Sequence, residues 1–174
     1  MNWSGTGPRP VTWSAWYPVG PETQTELQLV GPPRSPFFQN GPVAEGAPIA
    51  EDREERPLVL LSHGTGGSAL GIGWFGRRLA EAGFIVVGAN HHGNTANETY
   101  CAEGFLSWWE RSRDLSFLAN FMMGDHPFSI RIDPDKIYAA GHSLGGHTVI
   151  ASTGALFSNN QFLEWYKEQP GPNG

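Results

Sequence analysis

The chain has 174 residues, a net charge of −6 and a pI near 5.4, with 39% hydrophobic and 12% aromatic residues. These values fit one globular domain with its own core, and they disfavour nucleic acid or an anionic membrane surface as a partner. The only cysteine, Cys101, excludes an internal disulfide and a multi-cysteine metal site. No apolar run is long enough for a membrane span and no signal-peptide pattern opens the chain, so we expect a cytoplasmic protein. We also expect no cofactor.

Two short strands are predicted near the N-terminus. Residues 9–17 and 25–30 alternate apolar and polar side chains, which is typical of half-buried strands. The segment 31–56 is rich in proline and glycine and predicts a surface loop insertion, because the strands on both sides need each other as sheet neighbours. The charged run that ends this segment, residues 51–56, is interpreted as a solvated face. We therefore treat residues 1–174 as a single domain.

Strands and helices alternate in the rest of the chain. Residues 57–62 and 84–89 are continuous apolar runs, typical of parallel strands buried on both faces. Residues 73–82, between them, repeat apolar side chains at helical spacing. The side chains expected to pack on the sheet are Phe75, Leu79 and Ala82.

A second helix and a last strand follow. Ser107 and Glu110 have the spacing of a capping box, and the apolar face after them continues to Gly124. The side chains of that face are Leu115, Leu118, Phe121 and Met122. Residues 133–140 form the last strand. This order predicts an open α/β sheet whose functional loops gather at the carboxyl ends of the strands.

The last strand runs into Gly-His-Ser-Leu-Gly, residues 141–145, and then into small residues that can begin a helix at His147. This is the G-x-S-x-G nucleophile elbow in its strand–turn–helix setting. So sharp a turn leaves no room for a Cβ two residues before or after the serine, and Gly141 and Gly145 occupy those positions. Ser143 is therefore the predicted nucleophile. The N–H of Leu144, in the first helical turn, is a predicted oxyanion donor.

A second glycine-rich loop, residues 63–67, follows the strand 57–62. It lacks the known phosphate-binding patterns, so we interpret it as the other half of an oxyanion hole, with the N–H of Thr65 as donor. His63 is interpreted as a residue that orders this turn by hydrogen bonds. Adjacent His91 and His92 point to opposite sides of an extended chain, and no metal site is predicted there. Five aromatic residues predict either an apolar acyl pocket or helix packing: Trp74, Phe75, Phe105, Trp108 and Trp109.

These motifs, in this order, resemble the α/β-hydrolase superfamily. Within it the likeness is to the predicted dienelactone-hydrolase branch that includes enzymes similar to platelet-activating-factor acetylhydrolase. The matching stretches are residues 16–18, 61–67, 79–80, 83–87, 92–95, 113–115 and 141–146. The resemblance implies an α/β-hydrolase fold with a mostly parallel sheet and flanking helices, Ser143 as nucleophile, and the amides of Leu144 and Thr65 as the oxyanion hole. Dienelactone hydrolases proper have cysteine in place of Ser143, so serine favours the esterase and lipase side.

The sequence departs from the superfamily after the elbow. The family order is Ser, then Asp or Glu, then His, but only His147, Glu164 and Glu168 follow Ser143 as candidates. His147 lies one helical turn on, where its ring would point along the helix. We therefore expect the N-terminal part of a hydrolase domain, with its C-terminal strands missing and its acid and base outside this chain. A complementing fragment or a second copy is the expected protein partner.

Two functions of different classes remain open. The first is a carboxylic-ester hydrolase that forms an acyl-enzyme on Ser143 and acts on a small-molecule ester. The second is a truncated, catalytically inactive binding module with the same fold. Labelling by a serine-directed probe would separate them.

Overall fold

A computed structural model describes residues 7–52, 54–124, 126–156 and 158–168. Residues 1–6, where no signal-peptide pattern was found, and Arg53 of the charged run lie outside these ranges. The elements are β1 (Val11–Trp16), β2 (Glu26–Val30), β3 (Phe38–Val43), β4 (Arg56–Ser62), α1 (Gly73–Glu81), β5 (Ile85–His91), α2 (Ala102–Leu106), α3 (Glu110–Met123), β6 (Ile132–Gly141), α4 (Leu144–Ser152) and α5 (Asn159–Glu168).

Four strands form one sheet in the order β1-β5-β4-β6. Strands β4, β5 and β6 are parallel, and β1 pairs antiparallel with β5. The mostly parallel sheet with flanking helices predicted from the sequence is therefore confirmed. The parallel arrangement places the loops after β4, β5 and β6 at one edge of the sheet.

The core has one layer on each face of this sheet. Alternate residues of β4 point to opposite faces, so Leu58 and Leu60 belong to one cluster and Val59 and Leu61 to the other. On the first face the sheet packs against Leu115, Leu118 and Met122 of α3, each at most 1% exposed. On the second face it packs against Ala80 of α1, and the side chain of Trp16 of β1 lies in the same cluster. This two-sided cover explains why β4 and β5 are continuous apolar runs.

Helix α1 approaches the sheet closely through small residues. Its buried residues are Gly73, Gly76 and Ala80, and a Cβ on Gly76 would lie 2.6 Å from Trp16 Cε3. The predicted contacts of Phe75 and Leu79 are confirmed, since both pack against this face. The predicted contact of Ala82 is wrong: that residue is exposed, because α1 ends at Glu81 and the chain turns through Gly83 at φ +97°.

The segment 31–56 is not only a loop. It contains β3, which pairs antiparallel with β2 in a separate two-stranded sheet. The prediction that the strands on either side of this segment are neighbours is therefore wrong. The alternation of β3 is hidden because Gly41, at φ +101°, and Pro42 lie within it. Arg56 is also not solvated: it is 7% exposed, pairs with Asp52 and donates to Gly83 O.

The predicted capping box is wrong as well. Helix α3 begins at Glu110, with Trp109 at its N-cap and no capping hydrogen bond from that side chain. Ser107 instead lies in the turn after α2, a helix that was not predicted, and its carbonyl accepts the N–H of Glu110 at 3.0 Å. Of the predicted apolar face, Phe121 remains 41% exposed.

Strand β6 lies at the edge of the sheet, as expected from the sequence. Ile137 is 36% exposed, Tyr138 is 52% exposed, and Ile150 of α4 is 60% exposed. Helix α4 begins at Leu144, three residues before the predicted start at His147. None of the helices within the described ranges combines the length and apolar character needed to cross a membrane.

Candidate active site

The turn between β6 and α4, where the sequence predicts the elbow, bends sharply at Ser143. Ser143 has φ 53° and ψ −121°, and no other non-glycine residue in the described ranges has a positive φ. A serine in this region costs roughly 1–3 kcal/mol of backbone strain. Its side chain is exposed at the end of the sheet. The sharp turn therefore presents Ser143 Oγ to solvent.

The two elbow glycines are required by contact. A Cβ on Gly145 would overlap Ser62 O and would lie 2.8 Å from His63 O. A Cβ on Gly141 would overlap the Gly145 carbonyl and would lie 2.7 Å from Gly146 N. Neither position has room for a Cβ, at Gly141 because of the turn itself and at Gly145 because of Ser62 and His63. Their role as the glycines of a nucleophile elbow stays a prediction.

The loop after β4 lies against the elbow. Ser62 O accepts the N–H of His142 at 3.2 Å, and a Cβ on Gly64 would lie 3.4 Å from Ser143 Cβ. In this loop Gly66 N–H donates to Asn94 Oδ1 at 2.7 Å. The amides of Thr65 and Leu144, by contrast, donate to no group among the described residues. Both remain available to an oxyanion, and that role stays a prediction.

His63 orients the peptide that contains the Thr65 amide. Its Nδ1–H donates to Gly64 O at 2.7 Å, and its Nε2 accepts the N–H of His91 at 3.3 Å. Burial lowers the pKa of His63 to about 3, so the ring is neutral. Gly64 O and Thr65 N–H belong to one planar trans peptide and point in opposite directions. A fixed Gly64 carbonyl therefore fixes the direction of the Thr65 N–H.

A buried Ser–His–Asp network, which no sequence motif indicates, lies behind this loop. His91 Nε2 is 2.8 Å from Ser62 Oγ, and His91 Nδ1 is 2.7 Å from Asp114 Oδ2. Burial lowers the pKa of His91 to about 4, which keeps the imidazole neutral. The order of groups is that of a catalytic triad. Ser62 and His91 are fully buried, however, so no substrate reaches them.

The other two histidines considered from the sequence have separate surroundings. His92 Nδ1 lies 2.8 Å from Glu98 Oε1, so His91 and His92 face different carboxylates. The ring of His147 packs edge-on against Trp108, with centroids 4.7 Å apart. Within the described ranges, Ser143 Oγ has no hydrogen-bond partner, and no group of residues forms a metal site.

The predicted aromatic cluster is divided into pairs. Trp74 packs on Phe75 and Trp108 on Trp109, with centroids 5.6 and 5.7 Å apart. Phe105 packs edge-on against Tyr100, which the sequence analysis missed. The hydroxyl of Tyr100 donates to Gly66 O at 2.8 Å, so this pair stands beside the glycine-rich loop.

Comparisons with known proteins find similarity to acetylhydrolases and esterases. Residues 38–114 match the family model of platelet-activating factor acetylhydrolase, isoform II. A platelet-activating factor acetylhydrolase of Canis lupus familiaris is 28% identical over 159 residues, which covers 67% of this chain and 34% of that protein. A cutinase of Thermobifida alba is 30% identical over 90 residues, covering 51% of this chain and 27% of the cutinase.

A solved esterase structure is also similar to this chain. The ferulic acid esterase from Streptomyces cinnamoneus superposes with a TM-score of 0.64 at 25% identity, covering 84% of this chain and 48% of the esterase. The chain thus spans about a third or less of the curated relatives and about half of the solved esterase. The fold and these matches confirm the resemblance of the chain to α/β hydrolases, on the branch that contains esterases and acetylhydrolases.

Proposed function

We propose that the chain provides the nucleophile and the oxyanion hole of a serine hydrolase that acts on carboxylic esters. Ser143 Oγ attacks the acyl carbon and loses its proton to a base, the alcohol leaves with a proton, and water then releases the acid from the acyl-enzyme. The observation that supports this most strongly is the strained, exposed backbone of Ser143 at φ 53° and ψ −121°. A structural turn would need no strain at a serine.

The oxyanion hole in this proposal is formed by the amides of Thr65 and Leu144. Both lack an acceptor among the described residues, and the loop of Thr65 contacts the elbow through Gly64 and Ser143. Preorganised donors of this kind contribute about 3 kcal/mol each to the stabilisation of a tetrahedral intermediate. Two amides are therefore enough for a large part of the rate acceleration.

The base and the acid come, in this proposal, from residues outside this chain. The described ranges provide no imidazole for Ser143 Oγ, and His147 packs on Trp108 instead. Strand β6 is an open edge with Tyr138 half exposed, so the sheet can accept another strand there. A serine without a base is a weak nucleophile. In serine proteases that lack a member of the catalytic triad, the oxyanion hole and substrate binding still accelerate the reaction by a factor on the order of 10³–10⁴ over water.

The substrate class is proposed from the aromatic rings beside the loop. Tyr100 and Phe105 are 52% and 37% exposed. Tyr100 lies next to Gly66, and Phe105 packs on Tyr100. Partly exposed rings beside an acyl site favour an ester with an apolar group. Neither ring carries a positive charge, so this pair would not bind a carboxylate or phosphate group of the substrate as an ion pair.

A fluorophosphonate probe tests the proposal on the native protein together with everything that copurifies with it. We expect one labelled peptide containing Ser143, and loss of labelling in Ser143→Ala. Ser152→Ala is the matched control. Ser152 is the last residue of α4, at the end of the helix away from Ser143, and its Oγ donates to Thr148 O at 2.8 Å. No labelling would favour the alternative, an inactive binding module, which the unpartnered Ser143 Oγ also fits.

A further inference from the structure

Arg111 is a charged residue in the middle of the core. Its side chain is fully buried on α3, where the neighbouring residues on the same face are Leu115 and Leu118. Burial lowers the pKa of Arg111 to about 10, so the guanidinium is charged at neutral pH. A buried charge is costly unless it is paired and hydrogen-bonded. Arg111 therefore calls for an explanation beyond packing.

The hydrogen bonds of Arg111 go to the start of the glycine-rich loop. Nη2 donates to His63 O and, at 3.2 Å, to Ser62 Oγ. Asp114 lies one turn further along α3, but its carboxylate pairs with Arg9 and accepts from His91. Arg111 thus donates to His63 O and Ser62 Oγ rather than to Asp114.

The acceptor of this bond touches the elbow. A Cβ on Gly145 would lie 2.8 Å from His63 O, the oxygen that accepts from Arg111. The preceding carbonyl, Ser62 O, accepts the N–H of His142. The backbone at Ser62 and His63 is therefore held between the guanidinium on one side and the elbow on the other.

We propose that Arg111 is a positioning residue. It fixes Ser62 and the glycine-rich loop, residues 63–67, against the elbow, so that the Thr65 amide stays beside Ser143. The guanidinium does not touch substrate; it acts through His63 O and Ser62 Oγ. Its Nε and Nη1 have no partner among the described residues, so the hydrogen bonds of the guanidinium within those residues go to Ser62 and His63. This inference rests on the proposed function for its catalytic consequence, but its structural part stands independently.

The test compares hydrogen exchange of the peptide covering residues 62–68 in wild type, Arg111→Met and Arg113→Met. Arg113 is the matched control: it is two residues away on α3, its side chain is 67% exposed, and within the described ranges its ion pair is with Glu110 alone. We expect exchange at Gly64–Gly67 to rise about tenfold or more in R111M, because two charge-assisted bonds are lost. Exchange in β5 and α4 should stay within about twofold, as should every peptide of R113M.

Labelling of Ser143 by the fluorophosphonate gives the second readout. R111M should lower the inactivation rate constant about tenfold or more with little change in the binding constant, since the oxyanion amide is displaced and the entry path is not. Arg111→Lys keeps the charge and one donor, so both effects should be partly restored. If R111M does not fold, R111K decides, with loop exchange raised at least about threefold over wild type.

The proposal is overturned if exchange of residues 62–68 in the Arg111 variant stays within twofold of wild type. It is also overturned if exchange rises uniformly over all sheet peptides, because Arg111 would then contribute only to global stability. A wild-type protein that does not label at Ser143 would refute the proposed function while the exchange result still decides the position of the loop.

Discussion

Acidification should destabilise this fold through two buried histidines. Burial, the largest cause, lowers the pKa of His63 to about 3 and that of His91 to about 4 from an ordinary value of 6.5. The unfolded chain therefore binds protons at a higher pH than the folded one. The contribution of each neutral ring is complete above the unfolded pKa. It is lost as the pH falls from about 6.5 toward the folded value.

The magnitude follows from these shifts. When the pH falls from about 8 to about 5, the free energy of unfolding decreases by roughly 2 kcal/mol for each histidine, or about 4 kcal/mol for both. Domains of this kind are stable by about 5–15 kcal/mol, so the change is a large fraction of the total. The carboxylates with lowered pKa values, Asp52 and Asp133, start from 3.8 and titrate below this window.

The assay is urea unfolding at about pH 8 and about pH 5 for wild type, His91→Gln and His142→Asn. His91→Gln should lose stability at pH 8 because Ser62 and Asp114 lose their partner. It should also lose about 2 kcal/mol of the pH dependence. His142→Asn, which removes an exposed imidazole, is the control for a histidine substitution outside the core. The reasoning is refuted if His91→Gln is as sensitive to pH as wild type.

Three further predictions concern packing and strain. Gly145→Ala should destabilise the chain by more than about 2 kcal/mol, because its Cβ overlaps backbone; Gly146→Ala, with its nearest neighbour at 3.4 Å, should change stability by less than about 1 kcal/mol in the same urea assay. Ser143→Gly should be more stable than Ser143→Ala by about 1 kcal/mol, since glycine relieves the positive φ; equal melting of the two would contradict the strain. Leu118→Ala, fully buried, should cost about 2–5 kcal/mol, whereas Ile150→Ala, at 60% exposure, should cost less than about 1 kcal/mol; similar losses would show that Leu118 is not in the core.

Local sequence patterns were sufficient for the central strands and for the elbow. Strands β4 and β5 are largely uninterrupted apolar runs. The contacts of Gly141 are within five residues of sequence, so the spacing predicts that crowding, whereas Gly145 is crowded by Ser62 and His63, which only the fold brings close. Strand β3 escaped prediction because Gly41 and Pro42 interrupt its alternation.

Contacts between distant residues could not be read from the sequence. Ser62, His91 and Asp114 come from β4, β5 and α3, and no local spacing relates them. Arg111 is also misleading, because an arginine in a helix is expected at the surface. Both cases are polar groups that a tertiary network satisfies, and only the packed structure reveals that network.

The most direct test of the account is the site of fluorophosphonate labelling, mapped by peptide mass on the native protein with its copurifying partners. The account predicts a single adduct on Ser143, which is exposed at the elbow, and none on Ser62, which is fully buried behind it. An adduct on any other serine, or an unlabelled Ser143 in the native protein, would contradict it.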